Sequence, residues 1–230
     1  MRSGACRVAR RVRTSERAGP PERINQTGAL PMSSKPLNLA VIIGSVREGR
    51  FGPVVANWLA EQATQHGQFQ VELVDLADTD LPLVLGPEPP AIATTDQRPA
   101  AMAGLTAKLA AADAYLVVTP EYNHSFPASL KAAIDWHFAE WRAKPIGFAS
   151  YGGQAGGLRA VEALRLVFAE LHAVTVRDGV AFPNYWELFD EEGGLLDAGP
   201  VEEAAKTLLD QLVWWGEALR NAREAKPYLA

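Results

Sequence analysis

Five short apolar runs, each followed by a segment of helical character, constrain this chain more than any other feature of it. From Leu37 the run Leu-Asn-Leu-Ala-Val-Ile-Ile reads as a strand buried on both faces and ends at Gly44, and residues 54–65 read as a helix. Residues 69–75 alternate apolar and polar side chains as a strand does, and the proline-rich stretch from Leu81 to Pro90 predicts a long surface loop. The alanine-rich segment 97–111 is helical by propensity and feeds a second β-branched run, 114–119, that is too apolar to be half exposed. The pattern repeats with helix 127–139, strand 145–150, helix 158–171 and strand 174–181. A closing helix, 201–219, carries Val201, Ala205, Leu208, Leu212 and Leu219 on one stripe.

Strands that alternate with helices need crossover connections, and crossovers within one sheet are right-handed. The chain therefore reads as α/β: a doubly wound, three-layer α/β/α sandwich around a five-stranded parallel sheet. In such a fold a ligand sits outside the carboxyl ends of the strands, where the strand order reverses. That rule selects three loops before any motif is named: residues 44–52, 120–126 and 150–157.

The 230 residues, 48% hydrophobic and 21% charged, suffice for one sizeable core, which we place at 36–222. No run approaches the roughly 20 apolar residues of a membrane helix, so no membrane partner is expected. Residues 1–31 carry seven arginines against Glu16 and Glu22, which leaves the body of the chain near ten net negative charges. Such a body repels nucleic-acid phosphates, and no nucleic-acid partner is expected of it. The leader, 1–35, has no apolar periodicity, contains Pro20 and Pro21, and reads as a disordered basic extension. Three explanations of it stand: an upstream extension before a start at Met32, an arginine-rich targeting peptide, or a nucleic-acid arm. The single cysteine, Cys6, has no disulfide partner, which fits a reducing cytoplasm.

The first loop reads Gly44-Ser45-Val46-Arg47-Glu48-Gly49-Arg50-Phe51-Gly52 and runs into a helix. Glycines let backbone approach an anion, a helix start offers unpaired amides, Ser45 carries a hydroxyl, and Arg47 or Arg50 can add charge. It is neither a triphosphate loop nor the dinucleotide fingerprint, and alone it is equally well a tight connection. The second loop, Pro120-Glu121-Tyr122-Asn123-His124-Ser125-Phe126, can present backbone groups, an aromatic face and an amide to a planar ring, or simply cover the end of the sheet. His124 lacks a neighbouring carboxylate or cysteine and reads as incidental. The third loop, Ser150-Tyr151-Gly152-Gly153-Gln154-Ala155-Gly156-Gly157, has side-chain-free backbone on which a flat group can lie, or is only a mobile link. The four histidines form no metal-ligand spacing, and no metal is expected.

Together the three loops resemble the NADPH-dependent FMN reductase family, the flavodoxin-like quinone, azo-compound and chromate reductases. The resemblance covers about residues 37–182. It rests on the run from Thr119 through Pro-Glu-Tyr-Asn-His-Ser-Phe-Pro to Trp136, on Lys144-Pro145, and on the segment Gly152-Gly153 to Gly156-Gly157-Leu158-Arg159. It implies strand order 2-1-3-4-5, a bound FMN, NADPH or NADH as co-substrate, and a small-molecule electron acceptor. It also implies roles: Gly44, Ser45, Arg47 and the amides through Arg50, Phe51 and Gly52 around the phosphate; Pro120, Glu121, Tyr122 and Asn123 along the isoalloxazine; Ser150, Tyr151, Gly152 and Gly153 at its other edge. No side chain is expected to be catalytic, since the flavin itself accepts and passes on the hydride. Where many members have a serine, this chain has Arg50, which either touches phosphate, faces solvent, or meets the phosphate of the pyridine nucleotide.

On the helix from Pro127, Leu130, Ile134, Phe138 and Trp141 share one face and leave Trp136 on the other, either exposed as a contact for a homo-oligomer or covered by a neighbouring loop or the C-terminal helix. Two alternatives to a reductase stand: a flavodoxin-type electron carrier without NAD(P)H activity, and a flavin-free binding protein on the same fold.

Overall fold

The structure, a computed structural model, describes residues 35–93 and 97–228, so the expectation for the leader lies outside the described residues. Ten elements follow in order: β1 (Leu37–Ile43), α1 (Gly52–His66), β2 (Phe69–Asp75), α2 (Ala103–Ala111), β3 (Ala114–Pro120), α3 (Ala128–Trp136), β4 (Pro145–Gly152), α4 (Leu158–Glu170), β5 (Val174–Pro183) and α5 (Gly199–Ala225). The five strands form one parallel sheet in the order β2-β1-β3-β4-β5. The chain moves outward from β1 to β2, then returns past β1 to β3, so the order reverses beside β1. The crevice at that reversal is where such folds take ligands.

Alternate residues of the central strands feed opposite layers. Leu37, Leu39, Val41 and Ile43 of β1, with Leu116 and Val118 of β3, pack under α1 and α5 through Val55, Leu59, Leu208 and Leu212. Ala40 and Ile42, with Tyr115 and Val117, pack under α2, α3 and α4 through Leu105, Leu109, Leu130, Ile134, Leu164 and Phe168. Because both faces are covered, β1 and β3 read as continuous apolar runs, whereas the edge strand β2 alternates.

Three helices have clearly other bounds than the sequence predicts, and the closing helix is one, running from Gly199 to Ala225 where 201–219 is expected. The segment 97–111 is not one helix: Pro99 is extended, a short 3-10 turn at Ala100–Met102 follows, and the α-helix begins at Ala103. Helix α3 stops at Trp136, so Phe138 and Trp141 do not lie on it. The cause is His137, which is fully buried and turns extended. Its Nδ1–H donates to the Ala133 carbonyl (2.8 Å) and its Nε2 accepts from the Thr106 hydroxyl (2.9 Å). This is the neutral tautomer, and burial lowers the pKa of His137 from its ordinary value.

Trp136 is half-buried rather than exposed, because its Nε1 donates to the Pro82 carbonyl (2.8 Å) of the proline-rich segment. That segment meets α3 at this contact, and Arg98, later in the chain, sets its guanidinium on Glu140 in the turn after α3. Helix α5 buries Ala205, Leu208 and Leu212 as the stripe predicts, while Leu209, Val213 and Gly216 complete its inner face. No helix among the described residues is long and apolar enough to cross a membrane.

Candidate functional site

The loops after β1, β3 and β4 meet at the carboxyl edge of the sheet. Gly44 N–H donates to the Val118 carbonyl (2.9 Å), and the Gly44 carbonyl accepts from the Ser129 hydroxyl (2.6 Å), so the first loop is pinned to β3 and α3 from its first residue. Ser45 is fully buried, with its Oγ 2.6 Å from the Tyr122 hydroxyl of the second loop. The loop closes on itself where Arg50 N–H donates to the Arg47 carbonyl (3.2 Å). At its end Phe51 caps α1 without a side-chain hydrogen bond, no acidic residue occupies the first helical turn, and a proline stands there.

This leaves a donor surface. Among the described residues, no protein acceptor faces the amides of Glu48, Gly49, Phe51 and Gly52. Unpaired amides at the positive end of a helix are suited to an anion. Gly52 must be small: a Cβ there would lie 2.9 Å from Ile43 Cγ2 and 3.1 Å from the Tyr151 hydroxyl. Burial, with Tyr122 and Tyr185 nearby, pushes the Tyr151 hydroxyl far above the ordinary phenol range, so it stays protonated. Arg47 is exposed, and among the described residues its guanidinium reaches the carbonyls of Glu48 (3.1 Å) and Gly49 (3.3 Å) in its own loop. Arg50 instead forks onto Asp75 at the end of β2, with both N···O distances 2.6 Å.

In the second loop, Tyr122 and Ser125 exchange both backbone hydrogen bonds (2.8 and 3.0 Å) around Asn123 and His124, which sit at φ 51° and 67°. That is the mirror-image two-residue turn that asparagine tolerates well and histidine poorly. It holds Tyr122 over Ser45. Pro120 is buried as the last residue of β3, and Glu121 N–H reaches the Tyr151 carbonyl (3.3 Å), joining the second loop to the third.

The Glu121 carboxylate is taken by Arg159. It accepts from Arg159 Nε (2.5 Å) and from the Arg159 backbone N–H (3.2 Å), so it caps α4, whose own cap residue Gly157 has no side chain. Burial alone would raise the Glu121 pKa, but the Arg159 hydrogen bonds outweigh it and hold the carboxyl below its ordinary value. A depressed carboxylate stabilises above the unfolded pKa of about 4.3 and loses that contribution as pH falls through its folded value. Glu121→Gln is thus expected to cost about 1–2 kcal/mol at pH 7, discounted because Arg159 is half exposed. Thermal unfolding of both proteins from pH 7 to pH 3 should show the gap closing at the acid end.

The third loop folds back through Ser150 Oγ to the Gly156 carbonyl (2.8 Å) and Gly156 N–H to the Gly153 carbonyl (2.8 Å), leaving Gly152 and Gly153 as its open rim. A fourth loop, after β5 and outside the three that the topology rule selects, completes the edge. Asn184 N–H donates to the Gly153 carbonyl (3.1 Å), and the Tyr185 ring lies tilted against Phe51 (4.6 Å between centroids) and edge-to-face with Tyr151 (5.4 Å). Phe189 closes the cluster 5.0 Å from Phe51, and Trp186 stands 58% exposed beside Gly153. The signal was available: Tyr185 and Trp186 follow the carboxyl end of β5, at the same edge as the other loops.

A family model described as NADPH-dependent FMN reductase matches residues 37–187. An NAD(P)H-dependent FMN reductase of Nectria sp is 34% identical over 202 residues, covering 75% of this chain and 97% of that protein. Another, of Schizosaccharomyces pombe, is 40% identical over 121 residues, and that alignment spans 52% of this chain and 60% of the yeast protein. Among solved structures, the flavoenzyme NAD(P)H:(acceptor) oxidoreductase FerB of Paracoccus denitrificans shares the fold with a TM-score of 0.61 at 23% identity, over 79% of this chain and 98% of that one.

Proposed function

The chain belongs to the NADPH-dependent FMN reductase family, and from that premise we propose that the carboxyl edge of its sheet holds FMN and that the protein carries reducing equivalents from NAD(P)H to a small-molecule acceptor such as a quinone. The observation that carries this reading is the start of α1, where unpaired amides and a fully buried serine meet with no acidic residue in the first turn. This donor set fits a phosphate monoester. In the proposed site the amides of Glu48, Gly49, Phe51 and Gly52, with Ser45 and Arg47, would hold the phosphate. The flat group would lie along Pro120, Glu121, Tyr122 and Asn123 and against the Gly152-Gly153 rim.

When bound, FMN supplies the acceptor for hydride and the donor of electrons to the second substrate. The chain's own task is positioning. The Tyr122–Ser45 contact and the aromatic cluster of Phe51, Tyr185 and Tyr151 hold the loops in register without the ligand. Such preorganisation brings reacting atoms to roughly 3–3.5 Å without later rearrangement. Trp186, exposed at the rim, gives an incoming aromatic substrate a surface to lie on. Donor and acceptor share one open edge in this scheme, which predicts ping-pong kinetics.

Association into a homo-oligomer belongs to the same proposal and is checked by light scattering. The Trp136 side of α3 supports it less than an exposed indole would, since Pro82 already takes the indole N–H. A cytoplasmic location is supported by the single cysteine.

The test is the visible spectrum of the purified chain with added FMN, before and after anaerobic NADPH. The expected result is a bound-flavin band that bleaches and returns with quinone. A bound band that stays oxidised would favour the electron carrier, and a chain that takes up no FMN would overturn the proposal.

A further inference from the structure

The geometry points to Arg50 as a positioning residue that braces the phosphate loop through Asp75, leaving Arg47 as the one arginine of that loop whose charge serves the ligand. The inference rests on the reading that this edge binds FMN.

Arg50 has little left to offer a ligand. Its Nη1 and Nη2 donate to the two Asp75 oxygens at 2.6 Å each, and Nη1 also reaches the Ser45 carbonyl at 2.8 Å. Both side chains are about four-fifths buried, at 20% and 19% exposure. Asp75 is itself held, because its Oδ1 accepts from Ala77 N–H (3.0 Å). Ile43 and Asp75 are partners in the β1–β2 register, so the brace spans a single strand spacing, from the end of β2 to the first turn of the loop that leaves β1. With Arg50 N–H on the Arg47 carbonyl, the guanidinium closes the loop from inside.

Two consequences follow. First, the planar fork fixes where the Glu48 and Gly49 amides point, a job for bidentate geometry and not for charge alone. Second, Asp75 neutralises Arg50 at contact distance, so the positive part of the field at the start of α1, against the exposed Glu48, comes from the helix and Arg47. Arg47 is exposed and, among the described residues, its guanidinium donates to carbonyls of its own loop, so it can turn to a phosphate at little cost.

The test is FMN binding by fluorescence quenching at two salt concentrations, in the wild-type protein and in Asp75→Asn, Arg50→Met, the double variant Arg50→Met/Asp75→Asn and Arg47→Met. A brace predicts that Asp75→Asn and Arg50→Met each weaken FMN binding at least tenfold, that the double variant is no worse than either single one, and that Asp75→Asn keeps the salt dependence. Arg47→Met should weaken binding and flatten the salt dependence. If Asp75→Asn binds FMN as tightly as wild type or more tightly, with a steeper salt dependence, the released Arg50 is a phosphate ligand and the inference fails. Should Asp75→Asn not fold, Arg47→Met still decides: a salt dependence that survives it assigns the charge to Arg50. Failure of the wild-type chain to bind FMN would sink the function reading instead, which separates the two.

Discussion

Replacing Arg98 by methionine lowers the unfolding free energy by about 3–5 kcal/mol, the largest stability loss we expect from one side chain in this protein. Arg98 and Glu140 form a fork at 2.6 and 3.2 Å, and their side chains are only 6% and 8% exposed. Removing the guanidinium strands a carboxylate where water cannot reach it. The nearby Lys144 does not stand in, since its ammonium already donates to the Leu109 and Ala110 carbonyls and the Tyr115 hydroxyl, each at 3.1 Å. The Glu140 carbonyl also accepts the buried Tyr115 hydroxyl (2.6 Å), so the turn that carries Glu140 is part of the core floor. Urea unfolding measures the loss, and at roughly 2–4 °C per kcal/mol the midpoint should drop by about 10 °C. The double variant Arg98→Met/Glu140→Leu should recover most of it, because an apolar pair avoids the desolvation cost. A single variant within 1 kcal/mol of wild type would mean that water reaches Glu140 after all.

The second large effect falls on the site. Gly157→Val should cost about 2–4 kcal/mol and weaken FMN binding at least tenfold. Gly157 sits at φ +85°, and a Cβ there would lie 2.7 Å from Ser150 Cβ and 3.0 Å from the Tyr151 backbone nitrogen. Both obstacles are on β4, which cannot yield without shifting the Ser150–Gly153 rim. The control is Gly153→Ala, four residues away in the same loop. Gly153 is exposed, and the nearest atom to an added Cβ is Trp186 Cη2 at 3.9 Å, so its thermal midpoint should stay within about 2 °C of wild type. Equal losses in the two variants would show that loop flexibility, not close packing, sets the sensitivity.

How much of this was legible beforehand varies with the range of the interaction. The strands were legible because a strand buried on both faces must be apolar throughout, and β1, β3 and β4 lie inside a covered sheet. Helix α1 was legible from Pro53 at its start and Gly67, at φ +79°, at its end. The end of α3 was not: periodicity carried on through Phe138 and Trp141, but His137 left the helix to satisfy both ring nitrogens in the core. Which of two readings held for Trp136, exposed or covered by a loop, was not legible because its cover, the Pro82 carbonyl, lies 54 residues earlier.

What the amino-acid order determined by itself was the alternation of strands and helices, and with it the sheet, its carboxyl edge and the three loops that meet there. These follow from local patterns of apolar residues, glycine and proline, which act over a few positions of the chain. Only the tertiary structure decided which partner each polar group at that edge takes. Arg50 finds Asp75 across 25 residues, Glu121 finds Arg159 across 38, and Ser45 finds Tyr122 across 77. A charged or hydroxyl-bearing side chain has several partners it could satisfy, and the sequence carries no preference among them. The choice is made when the packed sheet brings one partner within 3 Å and excludes water from the rest.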